Sequence, residues 1–252
     1  MEKKKCTAVI LAAGSGSRMH SGVPKQFMDL GGRPLVWYSL EAVERSSIID
    51  DCILVTGAEH ISYMRQEIVE KYGFSKVSDI TEGGRQRYES VARALELLEN
   101  RELNTPYGGG FVFIHDGARP FLTEKILEDT YAAAYAYDAC VAAMPSKDTV
   151  KLADAEGYAS QTPNRNSVWL VQTPQVFETR MICEAYRLLM TSLPALERQG
   201  IEITDDAMVV ETMLHRRVKL VPASYENIKV TTPEDMRIAM ALLQGRLPGE
   251  QP

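Results

Sequence analysis

The chain has 252 residues, with 28 Lys+Arg against 34 Asp+Glu for a net charge of −6, and is 45% hydrophobic and 25% charged. A chain of this size buries roughly 70 to 75% of the surface it exposes when unfolded, so its core needs no metal or disulfide staple. The mild acidity excludes a protein whose main task is holding nucleic acid, because that task needs clustered Lys and Arg to displace counterions from phosphate.

The run CTAVILAAG from residue 6 is continuously apolar and ends in glycine. That pattern suits a strand buried on both faces of a parallel sheet. Similar runs recur at 52–57, 111–117 and 140–145, separated by helical spacing over 34–46, 60–72, 85–100 and 123–137. Thr123, with Glu124 in the first turn, is set to cap the last of these. Strand and helix in alternation predict an α/β doubly wound, mostly parallel Rossmann-like sheet with helices on both faces. The rhythm breaks after Pro145. Segment 146–176 holds two β-leaning stretches, 148–152 and 167–173, around a polar middle with Ala155-Glu156-Gly157 and Pro163-Asn164-Arg165-Asn166. These predict a protruding β-hairpin arm on a single domain spanning 1–252. Helices at 179–191 and 205–214, a strand at 217–221 and a helix at 233–243 follow. Thr232 is a good N-cap with Pro233 at the first helical position.

Cys6, Cys52, Cys140 and Cys183 stand far apart with no C-x-x-C pair. Neither a disulfide framework nor a zinc site is indicated. The run 7–13 is too short for a signal peptide, and no apolar stretch approaches the ~20 residues of a membrane helix. A reducing, cytoplasmic setting without membrane contact is expected. His20, His60, His115 and His215 form no ligand-spaced cluster and read as packing or surface residues.

The densest chemical signal is LAAGSGSRMHSGVPKQF, residues 11–27. Directly after the first strand, Ala12, Ala13, Gly14, Ser15 and Gly16 let backbone N–H groups approach a phosphate, with Arg18 and Lys25 close behind. In a doubly wound sheet this loop lies at the strand's carboxyl end, where ligands bind. It is no dinucleotide fingerprint, since the third glycine would fall at Met19, and no Walker A loop. Asp116 follows the apolar run 111–114 and His115 and reads either as a hard oxygen ligand for Mg²⁺ beside a triphosphate or as a turn or capping aspartate. Lys229, between Ile228 and Val230, is an odd choice for a buried strand end unless it faces an anion.

The pattern A-A-G-x-G-x-R-M, then P-K-Q-F and L-x-G-x-P-L, resembles the signature of the nucleotidyltransferases that activate sugar or polyol phosphates, in their cytidylyltransferase branch. Gly83-Gly84-Arg85-Gln86-Arg87 through Val91, His115-Asp116-Gly117-Ala118-Arg119-Pro120, Thr173-Pro174-Gln175, Thr204-Asp205-Asp206-Ala207 and Asn227-Ile228-Lys229-Val230-Thr231 resemble further blocks of that branch. They run in its order from Ala8 to about Leu243. The resemblance is strongest to enzymes acting on 2-C-methyl-D-erythritol 4-phosphate in non-mevalonate isoprenoid biosynthesis. Ribitol 5-phosphate is the alternative acceptor, and a catalytically silent nucleotide-binding member of the fold is the alternative class. Intact Arg18, Lys25, Asp116 and Lys229 speak against a silent member.

The reaction so implied has an acceptor phosphate oxygen attack the α-phosphorus of CTP while pyrophosphate leaves. No protein nucleophile is needed, so catalysis is electrostatic stabilisation and alignment. The resemblance places Arg18 and Lys25 on the triphosphate and Arg165 and Lys229 on the acceptor phosphate. It assigns Thr149, Arg119 and Thr204 to the acceptor side. Ala12, Ala13, Gly14, Gly16, Gly84, Ser90 and Asp116 are assigned to the nucleotide, with Asp116 also a Mg²⁺ ligand. Arg85 departs from relatives that carry an acidic residue there. The resemblance further implies a homodimer through the 146–176 arm, in which Arg165 and Thr149 of one subunit complete the partner's site.

Overall fold

A computed structural model describes residues 2–14, 16, 19, 22–102 and 110–245. β1 (Cys6–Ala12) is buried at every position except half-buried Leu11. The short pair β2 (Asp29–Leu30) and β3 (Arg33–Pro34) leads into α1 (Leu35–Arg45). Then come β4 (Asp51–Thr56) and α2 (Ile61–Tyr63), which runs on as a π-helical Met64–Glu70, followed by β5 (Val77–Glu82), α3 (Arg87–Glu102) and β6 (Phe111–Asp116). α4 (Glu124–Tyr137), β7 (Ala139–Pro145), β8 (Leu152–Ala153), β9 (Ala159–Gln161) and β10 (Trp169–Glu178) follow, and α5 (Thr179–Arg198), α6 (Asp206–Leu214), β11 (Lys219–Pro222) and α7 (Pro233–Gln244) complete the order.

Seven strands form one sheet in the order β11-β7-β10-β6-β1-β4-β5. Only β10 runs against its neighbours, pairing antiparallel with β6 and β7, while the other pairings are parallel. Side chains alternate between the two faces, as a period of two requires. Ala8, Ile10, Phe111 and Phe113 pack with α1, α4 and Ala239 of α7. Val9, Val112 and Ile114 pack on the opposite face with Val91, Leu95 and Leu98 of α3 and with α5 and α6. Burial on both faces is why β1 and β6 read as unbroken apolar runs. The predicted sheet with helices on both faces is the one observed.

Two features differ from expectation. β5 carries Ser78, Asp79, Thr81 and Glu82, with no fully buried residue, because it is an edge strand paired only with β4. An edge strand needs no apolar run, so its sequence gives no such signal. The arm is also narrower than 146–176. From Trp169 onward the chain is β10, inside the central sheet, with Trp169 paired to Pro145 and Gln175 to both Val141 and Ile114. Its register shifts between Val171 and Gln175, around Pro174, which has no N–H to give the ladder. The 148–152 stretch is strand only at its end, where β8 pairs with β9. Both hairpin strands are exposed at every position.

The caps form as read. Thr123 accepts from the Ile126 N–H at 3.4 Å. Thr232 and Asp235 form a reciprocal capping box at the start of α7. Among the described residues no helix is long and apolar enough to cross a membrane.

Candidate active site

β1 and β6 lie side by side, with Leu11 paired to Asp116, so the loop after Ala12 and the Asp116 carboxylate meet at the carboxyl ends of these central strands. A cleft of about 410 Å³ opens there. It brings together Ala12, Ala13, Gly14, Lys25, Gly84, Ser90, Asp116 and Lys229 from the predicted set. Among the described residues its charged walls are Lys25, Arg85, Arg87 and Lys229 against Asp116. A larger neighbouring groove of about 1120 Å³ carries Glu59, Glu82, Glu89, Glu96 and Glu99 against Arg85, Arg93 and Arg187. Of the two, the smaller carries the excess of positive charge that an anionic ligand requires.

Asp116 is the hub of that cleft. Its carboxylate meets Lys229 Nζ at 2.8 Å, Arg87 Nε at 3.5 Å and Arg119 Nε at 3.7 Å. Burial by itself favours the neutral acid, but Arg87, Lys229 and Arg119 outweigh it and hold the carboxyl well below the usual range. Arg87 is itself clamped by a bidentate pair with Asp206, both contacts at 2.7 Å. The Tyr186 hydroxyl donates to the same carboxylate at 2.5 Å. Asp206 is completely buried, so this pairing is needed to keep its charge inside.

The strand end is fixed by its neighbours. Nε2–H of His115 donates to the Arg119 carbonyl at 3.3 Å, which leaves Nδ1 to accept from the Thr173 hydroxyl at 3.0 Å. That hydroxyl accepts the Asp116 N–H at 3.0 Å. Burial outweighs the nearby Asp116 charge and pulls the His115 imidazole down to about 4. The unfolded chain therefore takes up a proton below pH 6.5 that the folded chain refuses. Stability in urea is expected to fall as the pH drops from 6.5 to about 4, and His115→Gln is expected to flatten that slope. An undiminished slope in the variant would refute this.

The loops that form the walls are held by packing. A Cβ on Gly83 would stand 2.4 Å from Ala13 Cβ of the loop after β1, and one on Gly84 2.2 Å from Glu89 Cβ in α3, so both contacts require glycine. The Ser90 hydroxyl accepts from Gly84 N–H at 3.0 Å and faces Gln86 O at 3.3 Å, fixing the turn. Arg85 is exposed, and its N–H caps onto Glu89. Gly16 has φ +64° and backs onto Lys25 Cβ, where a side chain would come within 3.1 Å. Lys25 Nζ reaches the Val230 carbonyl at 3.4 Å. The segment bearing Lys229 is pinned by Arg119 Nη1 on Asn227 O at 2.7 Å and by Val230 N–H on Ala118 O at 2.8 Å.

Other predicted residues stand elsewhere. Arg165 and Thr149 are exposed on the arm, where Arg165 Nη1 donates to Lys147 O at 3.4 Å. Thr204 is exposed ahead of α6, its hydroxyl on Met208 Sδ at 3.7 Å. Arg18 lies outside the described residues. Arg119 is buried and turned to Asp116.

A family model described as 2-C-methyl-D-erythritol 4-phosphate cytidylyltransferase matches residues 6–245. The chain belongs to that cytidylyltransferase family. Relatives named for this activity include one from Lachnospira eligens, 47% identical over 240 residues, spanning 95% of this chain and 99% of its own. Another, from Lachnoclostridium phytofermentans, is 42% identical and covers 96% of this chain and 97% of its own. Among solved structures, the 4-diphosphocytidyl-2C-methyl-D-erythritol synthase of Anaerococcus prevotii superposes with a TM-score of 0.78 at 33% identity, over 96% of this chain and 100% of its own. The 2-C-methyl-D-erythritol 4-phosphate cytidylyltransferase of Thermus thermophilus does so with a TM-score of 0.68 at 30% identity, covering 94% and 98%.

Several blocks shared with the cytidylyltransferase family turn out to support the site rather than line it. Gln175 donates to Asp205 at 3.0 Å and accepts from Ala207 N–H at 2.9 Å, locking Thr173-Pro174-Gln175 to the start of α6. Asn227 donates to Gln172 at 3.0 Å and to Thr173 O at 2.8 Å. Arg87 falls in a block that matches the family, but the sequence alone gives it no role. Its signal is a charge at the first turn of a helix whose acidic partner, Asp206, is far away in the chain.

Proposed function

We propose that the protein transfers the cytidylyl group of CTP to 2-C-methyl-D-erythritol 4-phosphate, giving 4-diphosphocytidyl-2-C-methyl-D-erythritol and pyrophosphate in isoprenoid biosynthesis. The family match over 6–245 carries this reading. The chemistry of the cleft supports it. The acceptor phosphate is already an anion, so the protein's task is to hold two anions in line and stabilise the charge that develops. Lys25 and Arg18 take the triphosphate. Lys229, Arg165, Thr149 and Arg119 take the acceptor phosphate. Ala12, Ala13, Gly14 and Gly16 admit the nucleotide to the backbone, and Gly84 with Ser90 shapes the base pocket. His115, neutral and doubly hydrogen-bonded, moves no proton here.

The donor set fits Mg²⁺ in a limited way. Among the described residues no group of three or more His, Cys, Asp or Glu comes together to hold an ion. Mg²⁺ ordinarily takes one or two carboxylates, keeps waters and completes its shell with substrate phosphates. Asp116, ionised and facing the cleft, would be such a ligand, and the ion would supply charge neutralisation at the triphosphate.

We further propose a cytoplasmic homodimer formed through the arm. The four cysteines are buried and form no disulfide, as suits a reducing compartment. On and beside the arm Tyr158 is 70% exposed and Leu170 52%, apolar surface of the kind a second subunit covers.

Pyrophosphate release with CTP and Mg²⁺ tests the activity, comparing methylerythritol 4-phosphate with ribitol 5-phosphate and using Arg18→Ala as control. Release with the first acceptor alone, lost in the variant, is the expected result. Turnover of ribitol phosphate would overturn the acceptor, and silence with both would overturn the enzyme assignment. Light scattering on the same preparation is expected to give twice the chain mass; a fully active monomer would remove the arm's role.

A further inference from the structure

The segment that carries Lys229 is tied to the base of the arm by one side chain the mechanism does not use. The Tyr225 hydroxyl donates to the Pro145 carbonyl at 2.8 Å, at the point where β7 ends and the arm departs. Lys147 Nζ lies 3.5 Å from the centroid of the Tyr225 ring. Arg165, further along the arm, donates back to the carbonyl of that same Lys147. Gln172 Nε2, on β10, donates to Ser224 O at 2.8 Å, adding a second tie beside the first.

Tyr225 is 40% exposed, so hydrophobic burial does not account for its position. Both of its contacts are directional, one through the hydroxyl and one through the ring face. The two roots of the arm are joined to each other by the β7–β10 pairing at Pro145 and Trp169 and by Ser146 N–H on Val168 O at 2.9 Å, whereas Tyr225 ties the base to the Lys229 segment. β8 and β9 form a sheet of their own, apart from the central one, and are exposed along their length.

We propose that Tyr225 is a positioning residue for the acceptor phosphate. It clasps Pro145 and Lys147 so that the arm leaves the sheet at one angle, and that angle sets where Arg165 meets the phosphate that Lys229 also grips. The proposal rests on the assignment of Arg165 and Lys229 made above. It holds whether the arm serves its own subunit or the partner, because the angle is set at the base in each.

The test uses the full-length enzyme. In Tyr225→Leu, KM for methylerythritol phosphate is expected to rise about tenfold while KM for CTP stays within about twofold, the scale of a part-exposed cation–π contact plus a hydrogen bond. Tyr225→Phe keeps the ring beside Lys147 and is expected to recover most of the loss, ending about threefold above wild type. Added to Arg165→Ala, Tyr225→Leu is expected to cost nothing more, because the two act through one contact. Wild-type kinetics in Arg165→Ala would remove the Arg165 assignment and this inference together. An impaired Arg165→Ala beside a Tyr225→Leu with unchanged acceptor KM would overturn the inference alone. So would a double variant that multiplies the two single effects, or an equal rise in both KM values.

Discussion

Replacing Lys25 with alanine is expected to lower kcat for pyrophosphate release by about 10²-fold or more, the usual worth of one preorganised charge aimed at a developing anion. Lys25 is suited to that role because its backbone is fixed before substrate arrives. It opens a 3-10 turn, Lys25–Phe27, closed by Phe27 N–H on Pro24 O at 2.9 Å and Met28 N–H on Lys25 O at 3.1 Å. The stem of the side chain packs against Gly16, and the ammonium reaches the Val230 carbonyl beside Lys229. The charge therefore needs little reorganisation when negative charge builds on the triphosphate. Lys25→Arg keeps a cation but exchanges a compact ammonium for a broad planar group in a confined place, so partial recovery at most is expected. Single-turnover rates at saturating CTP isolate the chemical step. A loss below about tenfold in Lys25→Ala would show that the charge is not directed at the transition state.

The second large effect is expected from Asp116→Asn. This variant removes the anion that Arg87, Arg119 and Lys229 share, leaving Arg119 and Lys229 without their carboxylate while Arg87 keeps Asp206. Breaking a buried ion pair from one side costs about 3 to 5 kcal/mol, and turnover is expected to fall about 10²-fold as Lys229 loses its position. The pH dependence separates this from a simple packing defect. The folded-state pKa of Asp116 is depressed, so its stabilising contribution is complete above the ordinary carboxyl value of 3.8 and is lost as the pH falls below it. The variant lacks the contribution at every pH. Urea titrations are thus expected to show a wide gap between wild type and variant at pH 7 that narrows below pH 3.8. A gap that does not change with pH would point to lost packing instead. Equal stability at pH 7 would mean that the three cations do not depend on Asp116.

Much of the active cleft is legible in the chain because its parts are local. The strand, the small-residue loop and Lys25 lie within one short stretch, and their roles follow from what phosphate requires of a backbone. Asp116 is readable as a carboxylate at a strand end, though whether it serves as ligand or turn residue is open from sequence. The structure shows why that choice was too narrow, since the carboxylate is the common partner of three cations drawn from separate segments. Arg87 lies in a matched block, but its role is unreadable locally for the same reason. Its partners Asp206 and Asp116 are remote in sequence, and nothing in the residues around it says that α6 will be packed against α3's first turn.

By itself, the sequence determined the alternation of strands and helices, both capped helix starts at Thr123 and Thr232, and the family. Each depends on periodicity, on a short-range hydrogen bond, or on blocks whose order is written in the chain. Only the tertiary structure decided that β10 enters the sheet antiparallel, that β5 closes its edge, and that Asp116 is wrapped by Arg87, Arg119 and Lys229. Those outcomes depend on which segments meet across long stretches of chain, and they are settled by the burial of both sheet faces and by the need to pair every charge taken inside.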